Sequence, residues 1–438
     1  MSRISLLEEL RRREVLKTAG LYAGGAWLLT QILLAVLDRS PLEETTRALA
    51  GCILVSAFIG GFPIAVLLAW FFDLTRTGVA RERPTARGHL ALSLAAMIVV
   101  VIGTGTVLWK FSPCTFGKVL GIAVLPCSYY GEQGFEQQGP GVARELNYRL
   151  SHLTELRVPA WSSTVAVSAG TANPAKLVEI LGVERLVECS VRRAQERLTI
   201  NLQLYDPRDD RNLWSKDYEG QTADELLLIA DVFRGLIGAD AIKVGTHARG
   251  RVERVNRPPT ASAEAWSTYQ LACNSEDAGA YELALDSYRK ATLLDSRFAR
   301  AHAGAARMHW QATLRDALPA GMGRARLHAA WTHAQLALRA EPDLADALAL
   351  RRVLLAVGAE DTAPGKDPPS RLTTDPDELH ERVLALRPSF AEEYLWWSQW
   401  LARQGRQSEA DEALTEARKL DPAGTLEHRY EFKERPTG

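Results

Sequence analysis

The first quarter of the chain contains three long apolar stretches without a charged side chain. They run from Ala19 to Leu37, from Ala48 to Phe72 and from Leu90 to Trp109. A helix of about 20 apolar residues is long enough to cross the roughly 30 Å hydrocarbon layer of a bilayer. The sequence therefore predicts three transmembrane helices within residues 19–110. The pattern that follows is that of a soluble protein.

Positively charged residues flank these stretches unequally. Nine lie in residues 1–18 and between the second and third stretches, and four lie in the other two flanks. Because loops rich in Lys and Arg resist translocation, this asymmetry predicts a cytoplasmic N-terminus in a bacterial inner membrane and a periplasmic remainder. Residues 1–18 would then be a cytoplasmic amphipathic segment lying on membrane lipid. A twin-arginine export signal at Arg12-Arg13 is the alternative, but two further apolar stretches follow it.

Residues 117–245 alternate short apolar runs with helical runs, which predicts an α/β domain. Gly121 to Pro126 is typical of a buried strand, and Val142 to Leu153 of a helix. Two alternating runs, Arg185 to Arg193 and Leu198 to Asp206, predict a β-hairpin. An amphipathic helix from Thr222 to Val244 is expected to close the domain.

Several motifs occur here in the order and spacing of TolB-like N-terminal domains. They are Ile122-Ala123-Val124-Leu125-Pro126, Ser190-Val191-Arg192-Arg193 and Leu213-Trp214-Ser215. Upstream, Leu10-Arg11-Arg12-Arg13-Glu14-Val15 and Ala69-Trp70-Phe71-Phe72-Asp73-Leu74-Thr75 resemble the membrane segment of bacterial proteins that join this domain to tetratricopeptide repeats. The resemblance implies a membrane anchor, a TolB-like domain and a repeat domain in that order.

The chain departs from this family pattern in two places. Cys127 stands where the family usually has phenylalanine, and Gln138-Gly139-Pro140-Gly141 replaces the acidic residue usual before the first helix. No ligand is therefore inferred from relatives. Many relatives also carry a cytoplasmic cyclase or winged-helix output domain, for which the predicted cytoplasmic segment is too short. A signalling role would then need a separate output protein.

The rest of the chain is divided into a linker, a repeat domain and a tail. Residues 246–261 are basic and contain Pro258-Pro259, so we interpret them as a solvated linker, with lipid or nucleic-acid contact as the alternative. Residues 262–425 repeat a pattern of alanines followed by a helix-stopping residue, and the stops are Ser296, Pro342, Pro388 and Pro422. Small alanines let paired helices approach closely, so the pattern predicts about four stacked helix pairs in an all-α, tetratricopeptide-like solenoid. Residues 426–438 are the tail.

The first helix of each pair lines the concave face of such a solenoid, so repeat register predicts which residues face a partner. These groove candidates are Trp266, Tyr269, Arg300, Arg307, Trp310, Glu392 and Gln399. Ordinary surface or packing roles are the alternative for several of them. Trp396 and Trp400, four residues apart, would share a further helix face that either caps the last repeat or binds a partner.

No pattern indicates catalytic, cofactor-binding or metal-binding chemistry. The chain has no phosphate-binding loop, and its histidine pairs lack the cysteine or histidine neighbours of a zinc site. Fifty-two basic residues balance fifty-three acidic ones, so the total charge does not indicate a nucleic-acid partner. Cys114, Cys127, Cys189 and Cys273 would face an oxidising compartment, and a disulfide among them is left open.

The sequence thus predicts a non-catalytic inner-membrane scaffold or sensor that binds an envelope protein or peptide through periplasmic domains, with a possible homo-oligomer. The alternative is a regulatory subunit that relays a periplasmic signal to a separately encoded cytoplasmic enzyme or transcription factor. An enzyme of unfamiliar type is a third hypothesis.

Overall fold

The computed structural model describes residues 119–239, 242, 244–245, 248–315, 322–359 and 375–430, together with residue 29 and two short strands before them. The chain divides into two compact units, Met1–Lys118 and Val119–Gly438.

In the first unit the two short strands form an antiparallel pair. Strand β1 spans Phe72–Thr75 and strand β2 spans Gly78–Arg81, with Phe72 opposite Arg81 and Thr75 opposite Gly78. Phe72 was predicted to end the second transmembrane helix, but its backbone is extended and pairs with another strand. The local conformation at this position is therefore β rather than helical.

The predicted fold class is corrected for its three transmembrane helices. Among the residues that the structure describes, no helix is both long enough and apolar enough to cross a bilayer. The three transmembrane helices are therefore not part of the described fold. The stretches 19–37, 48–72 and 90–109 lie outside the described residues except at positions 29 and 72. Apolar composition over about 20 residues gives the length needed for a span, but it does not fix the backbone conformation.

The second unit begins with a mixed six-stranded sheet. Its strands are β3 (Leu120–Val124), β4 (Ser128–Tyr130), β5 (Leu156–Arg157), β6 (Arg185–Ala194), β7 (Arg197–Asp206) and β8 (Arg211–Gln221). The order is β5-β3-β6-β7-β8, and β4 also pairs with β6. β3 pairs in parallel with β5 and β6, whereas β6, β7 and β8 are antiparallel neighbours. The predicted hairpin is present, since Ala194 pairs with Arg197.

Four helices accompany this sheet: α1 (Gln138–Leu150), α2 (Trp161–Gly170), α3 (Pro174–Leu181) and α4 (Glu225–Ile237). Alternate residues of β7, from Leu198 to Leu204, are buried in one core with α1 and α4. Helix α3 begins where the Asn173 side chain accepts a hydrogen bond from the Ala175 N–H. It ends at Gly182, whose φ of 63° is unfavourable for other residues.

The rest of the described chain consists mainly of helices. Its elements are α5 (Arg249–Val255), α6 (Ala263–Asp277), α7 (Tyr281–Leu294), α8 (Ala299–Arg315), α9 (Met322–Ala340), α10 (Ala345–Ala356), α11 (Pro376–Leu386), α12 (Ala391–Arg403), α13 (Gln407–Leu420) and α14 (Thr425–Arg429). Helices α6 to α13 pack as consecutive pairs, which is the arrangement that the alanine pattern predicts. The predicted linker contains helix α5. The start of the predicted tail belongs to the fold, because Leu426 and Tyr430 are buried.

The sheet domain and the first repeat share one hydrophobic core. Val142 and Leu146 of α1 belong to the same buried cluster as Trp266 of α6 and Phe298, which precedes α8. This shared core fixes α1 against the first repeat. The candidate functional site lies along this boundary between α1 and the repeats.

Candidate functional site between the sheet domain and the repeats

A cavity of about 110 Å³ lies where helix α1 faces the first helices of the repeat pairs. We call it the interdomain cavity, and its walls come from α1, residues 159–162, α6, α8, α10, residues 387–389, α12 and α14. Its volume is of the same order as the roughly 150 Å³ cavity that admits a benzene molecule in an engineered protein core. It therefore has room for a ligand of a few non-hydrogen atoms.

Four of the seven predicted groove residues line this cavity: Tyr269, Arg300, Arg307 and Glu392. They come from three different helices, α6, α8 and α12, so the repeat register brings them to one place as expected. What faces them is α1 of the same chain. Binding of a separate partner by these four residues stays a prediction.

Glu145 of α1 connects the sheet domain to the repeats. Its carboxylate accepts hydrogen bonds from Arg149 Nε at 2.7 Å and from Arg300 Nη1 at 2.7 Å. The Arg300 guanidinium also lies 3.8 Å from the centre of the Tyr148 ring. Burial by itself would raise the pKa of Glu145, but the two guanidinium groups outweigh it and hold this pKa below its usual range. The carboxylate is therefore charged and fully paired.

A second buried carboxylate, Glu276 of α6, is held inside the repeats. Arg307 binds both of its oxygens, at 2.8 and 2.7 Å, and Tyr288 donates to it at 2.8 Å. Such two-point pairing is the strongest arrangement for an arginine and a carboxylate. Although burial opposes ionisation, Arg307 lowers the pKa of Glu276 to about 2. Glu276 is therefore ionised at neutral pH.

Glu392 differs from these two carboxylates. It lines the cavity from the first turn of α12 and is half-buried, yet its carboxylate forms no ion pair with a described residue. Burial raises the pKa of Glu392, and the positive charges of Arg387 and Arg307 only partly offset this effect. An unpaired carboxyl in a partly desolvated cavity is available to a ligand that donates hydrogen bonds.

The other predicted residues lie elsewhere. Trp266 is buried beside the sheet domain, where its Nε1 donates to Glu225 at 3.0 Å. Trp310 is buried in the repeat core, stacked on Tyr430. Gln399 is half-buried and does not line the interdomain cavity.

The two tryptophans predicted as a partner surface, Trp396 and Trp400, differ in how far they are buried. Trp396 is only 4% exposed and meets Trp310 edge-on, so it is a core residue rather than a surface residue. Trp400 is partly exposed and stacks on Trp397 at a ring-centre distance of 4.7 Å. The four-residue spacing predicts a shared helix face, but Trp310 and Tyr430 pack against Trp396 and leave Trp400 partly exposed.

Sequence reasoning missed the contribution of the sheet domain to this site. Arg144 of α1 pairs with Asp277 and also donates to Asn274 Oδ1 at 3.0 Å. The Trp161 indole donates to the same Asp277 carboxylate at 2.9 Å. The available signal was the run of charged residues on α1, which a helix packed only on an apolar sheet would not need.

Two cysteines of the sheet domain are joined. Cys127, which follows β3, and Cys189 of β6 form a disulfide with their Cα atoms 4.6 Å apart. Cys273 is a free, buried thiol that contacts the Tyr288 hydroxyl at 3.4 Å and lines the interdomain cavity. Cys114 lies outside the described residues.

Three histidines of α8 and α9 lie together. Nδ1 of His302 is 3.1 Å from Nδ1 of His333, and the His309 ring stacks on His333. Burial lowers the pKa of His309 and of His333 to about 4, so both are neutral at pH 7. Within the described ranges, no cluster of His, Cys, Asp or Glu has the arrangement of a metal site.

Comparison with known proteins gives one partial similarity. No family model matches the chain. Over 141 residues the chain is 30% identical to a protein named putative adenylate cyclase 3 from Rhizobium meliloti (strain 1021). The match covers 30% of this chain and 24% of that relative, so the chain spans about a quarter of the relative's length. Because the relative's name denotes an enzyme, the prediction that the chain is not an enzyme is corrected: the chain is similar, over this part, to a protein named as a cyclase.

Proposed function

We propose that this chain is a sensor module. A small polar ligand binds in the interdomain cavity and stabilises the packing of the repeats against the sheet domain. The observation that carries the proposal is Glu392, a half-buried carboxyl with no ion pair to a described residue, in a cavity that otherwise holds matched pairs. Ligand sites form preferentially at such junctions between domains.

The charges around the cavity indicate the ligand's chemistry. Arg387 donates to Asp346 at 3.1 Å. Arg429 lies 3.8 Å from Glu276 and 3.7 Å from Asp277, and both ion pairs are longer than a hydrogen bond. A ligand with an amino group and a carboxylate would form one ion pair with Glu392 and another with Arg429. Small amino acids have this combination within the volume available.

Coupling between ligand and structure follows from the position of the cavity. Its walls belong to both the sheet domain and the repeats, so a bound ligand contacts both and stabilises only their docked arrangement. Docking also covers the concave face on which the sequence predicted a partner. A partner of the repeats would therefore bind there only when the sheet domain moves away, and the ligand would oppose that binding.

The Cys127–Cys189 disulfide supports a compartment that is oxidising, since such bonds persist mainly outside the reducing cytosol. This agrees with the periplasmic location expected from the sequence and extends the proposal to a module that senses conditions there.

The test is ligand-dependent thermal unfolding of the full chain with glycine, alanine and γ-aminobutyrate as probes. Binding to the folded state raises Tm in proportion to the logarithm of ligand concentration. Glu392→Gln should abolish the shift while leaving the unliganded protein as stable or slightly more stable, because an ionised carboxyl is removed from a desolvated place. Glu381→Gln, on the exposed face of α11, makes the same charge change away from the cavity and should keep the shift. No shift with any probe, or an equal shift in both variants, would contradict the proposal.

A second candidate function, adenylate cyclase activity, is favoured by the similarity to the Rhizobium meliloti protein. Purified chain would be incubated with ATP and Mg²⁺ or Mn²⁺, and cyclic AMP measured. Product above that of a heat-denatured sample would support this candidate. Its absence would leave a regulatory role, tested by adding the chain to a separately purified cyclase.

A further inference from the structure

A second cavity, of about 380 Å³, lies beside the segment that the sequence predicted to be a linker. Its walls are residues 251–259, the start of α8 and the turn between α9 and α10. Five of its wall residues are arginines: Arg251, Arg254, Arg257, Arg297 and Arg300. We call it the arginine pocket. Its volume is within the roughly 300–1,000 Å³ range of small-molecule sites.

Positive charge in the arginine pocket exceeds the negative charge available to neutralise it. The pocket contains two carboxyl groups, Glu341 and Asp343. Asp343 is paired with Arg382, which lies outside the pocket, at 2.7 Å. The carboxylates of the pocket walls therefore do not neutralise all of its positive charge.

The arginines themselves differ in how they are held. Arg300 is paired with Glu145, and Arg251 donates to the neutral hydroxyl of Thr154 at 2.7 Å. The exposed Arg254, Arg257 and Arg297 form no ion pair with any residue in the described ranges. Three guanidinium groups are thus left to face solvent or a ligand.

The fold gathers these groups from segments distant in sequence. Arg254 is on α5, Arg257 precedes the rigid pair Pro258-Pro259, and Arg297 lies just before α8. The buried Val255 fixes α5 against the shared core. Like charges held close together repel one another, and a bound anion removes this cost.

The inner wall of the pocket includes His152, which is 7% exposed. Its Nδ1 lies 2.8 Å from the Tyr148 carbonyl oxygen, so Nδ1 carries the proton and Nε2 is an acceptor. Burial lowers the pKa of His152 to about 3, which keeps the ring neutral. The pocket thus combines an arginine rim, suited to an anion, with a neutral acceptor in its wall.

We propose that the arginine pocket binds the phosphate group of a phosphate-bearing ligand. Guanidinium groups present paired N–H donors that match phosphate oxygens, and several of them together can bind the non-bridging oxygens of one phosphate group. The phosphate can belong to a free molecule or to a lipid headgroup, since both offer the same oxygens. This proposal is independent of the ligand proposed for the interdomain cavity.

The test uses inorganic pyrophosphate as the free probe and vesicles containing phosphatidylglycerol as the lipid probe, each with the full chain. Titration calorimetry measures the first and vesicle sedimentation the second. The variant Arg254→Gln/Arg257→Gln removes two rim charges, and Arg297→Gln removes one from another segment; all three side chains are exposed, so folding should be preserved. The matched control is Arg208→Gln/Arg211→Gln, at two exposed positions in the β7–β8 turn and at the start of β8.

We expect the double rim variant to weaken binding of one probe at least tenfold, Arg297→Gln to weaken it severalfold, and the control to leave it within twofold. Loss of pyrophosphate binding assigns a free ligand, and loss of vesicle binding alone assigns a headgroup. Raising the salt concentration should weaken binding of the wild type more than that of the rim variants. The proposal is overturned if neither probe binds, or if the control variant loses as much affinity as the rim variants.

Discussion

Arg300 of the repeats donates to Glu145 of the sheet domain at 2.7 Å across 155 residues of sequence, and both side chains are buried. Each would be costly to bury alone, because an unpaired charge away from water loses its hydration. The two domains therefore stabilise one another through charge as well as through their shared apolar core.

Breaking this pair should destabilise the whole second unit. Arg300→Gln leaves Glu145 with Arg149 alone, and we expect the free energy of unfolding in urea to fall by about 3 kcal/mol. Arg418→Gln is the control, because its pair with Glu427 is largely exposed and solvent screening leaves such a pair with little effect on stability. Equal small losses in both variants would show that the interdomain pair does not hold the domains together.

Acidification should weaken the fold through His309 and His333. Their folded pKa values of about 4 lie below the ordinary histidine pKa of 6.5, so the unfolded chain binds more protons between these two pH values. Their stabilising effect is complete above about pH 6.5 and is lost as the pH falls towards 4. Burial is the main cause, and Arg326 and Arg289 add to it at His309.

Urea unfolding at pH 7 and pH 5 measures this effect. His309→Gln should reduce the loss of stability between the two values, whereas His428→Gln, at an exposed position, should not change it. An unchanged pH dependence in His309→Gln would show that other groups cause it.

Gly304 should not tolerate a side chain. A Cβ there would lie 2.4 Å from Cε1 of Tyr288, which is fully buried and hydrogen-bonded to Glu276. We expect Gly304→Ala to lower the free energy of unfolding by about 1–3 kcal/mol through overpacking. Gly323→Ala, also within a helix but with no atom near its Cβ, should instead stabilise by about 0.5–1 kcal/mol. Thermal and urea unfolding of the two variants should differ in sign.

Reduction of the disulfide should destabilise the sheet domain. Cys127 and Cys189 are 62 residues apart, and chain entropy for a loop of this size predicts a loss of about 4 kcal/mol. Dithiothreitol should lower the Tm of the wild type and leave that of Cys127→Ser/Cys189→Ser unchanged. An equal fall in the Tm of both proteins would show that the bond between Cys127 and Cys189 is not the cause.

Local patterns predicted much of the secondary structure. The β6–β7 hairpin follows from two alternating runs, and the helix pairs follow from alanines such as Ala330, Ala334 and Ala337, all of which are buried. These signals have periods of two to four residues, so each is complete within one element. The apolar stretches before residue 110 predicted membrane helices, and among the described residues no helix is long and apolar enough to be one.

Repeat register in the sequence also determined that Tyr269, Arg300, Arg307 and Glu392 would face the same side of the repeats. Only the tertiary structure decided what lies opposite them, namely helix α1 with Glu145 and Arg144 from the same chain. It also decided that Trp396 is covered and that Cys127 reaches Cys189. The physical reason is that these contacts join residues far apart in sequence, and their geometry depends on how whole elements dock rather than on any local periodicity.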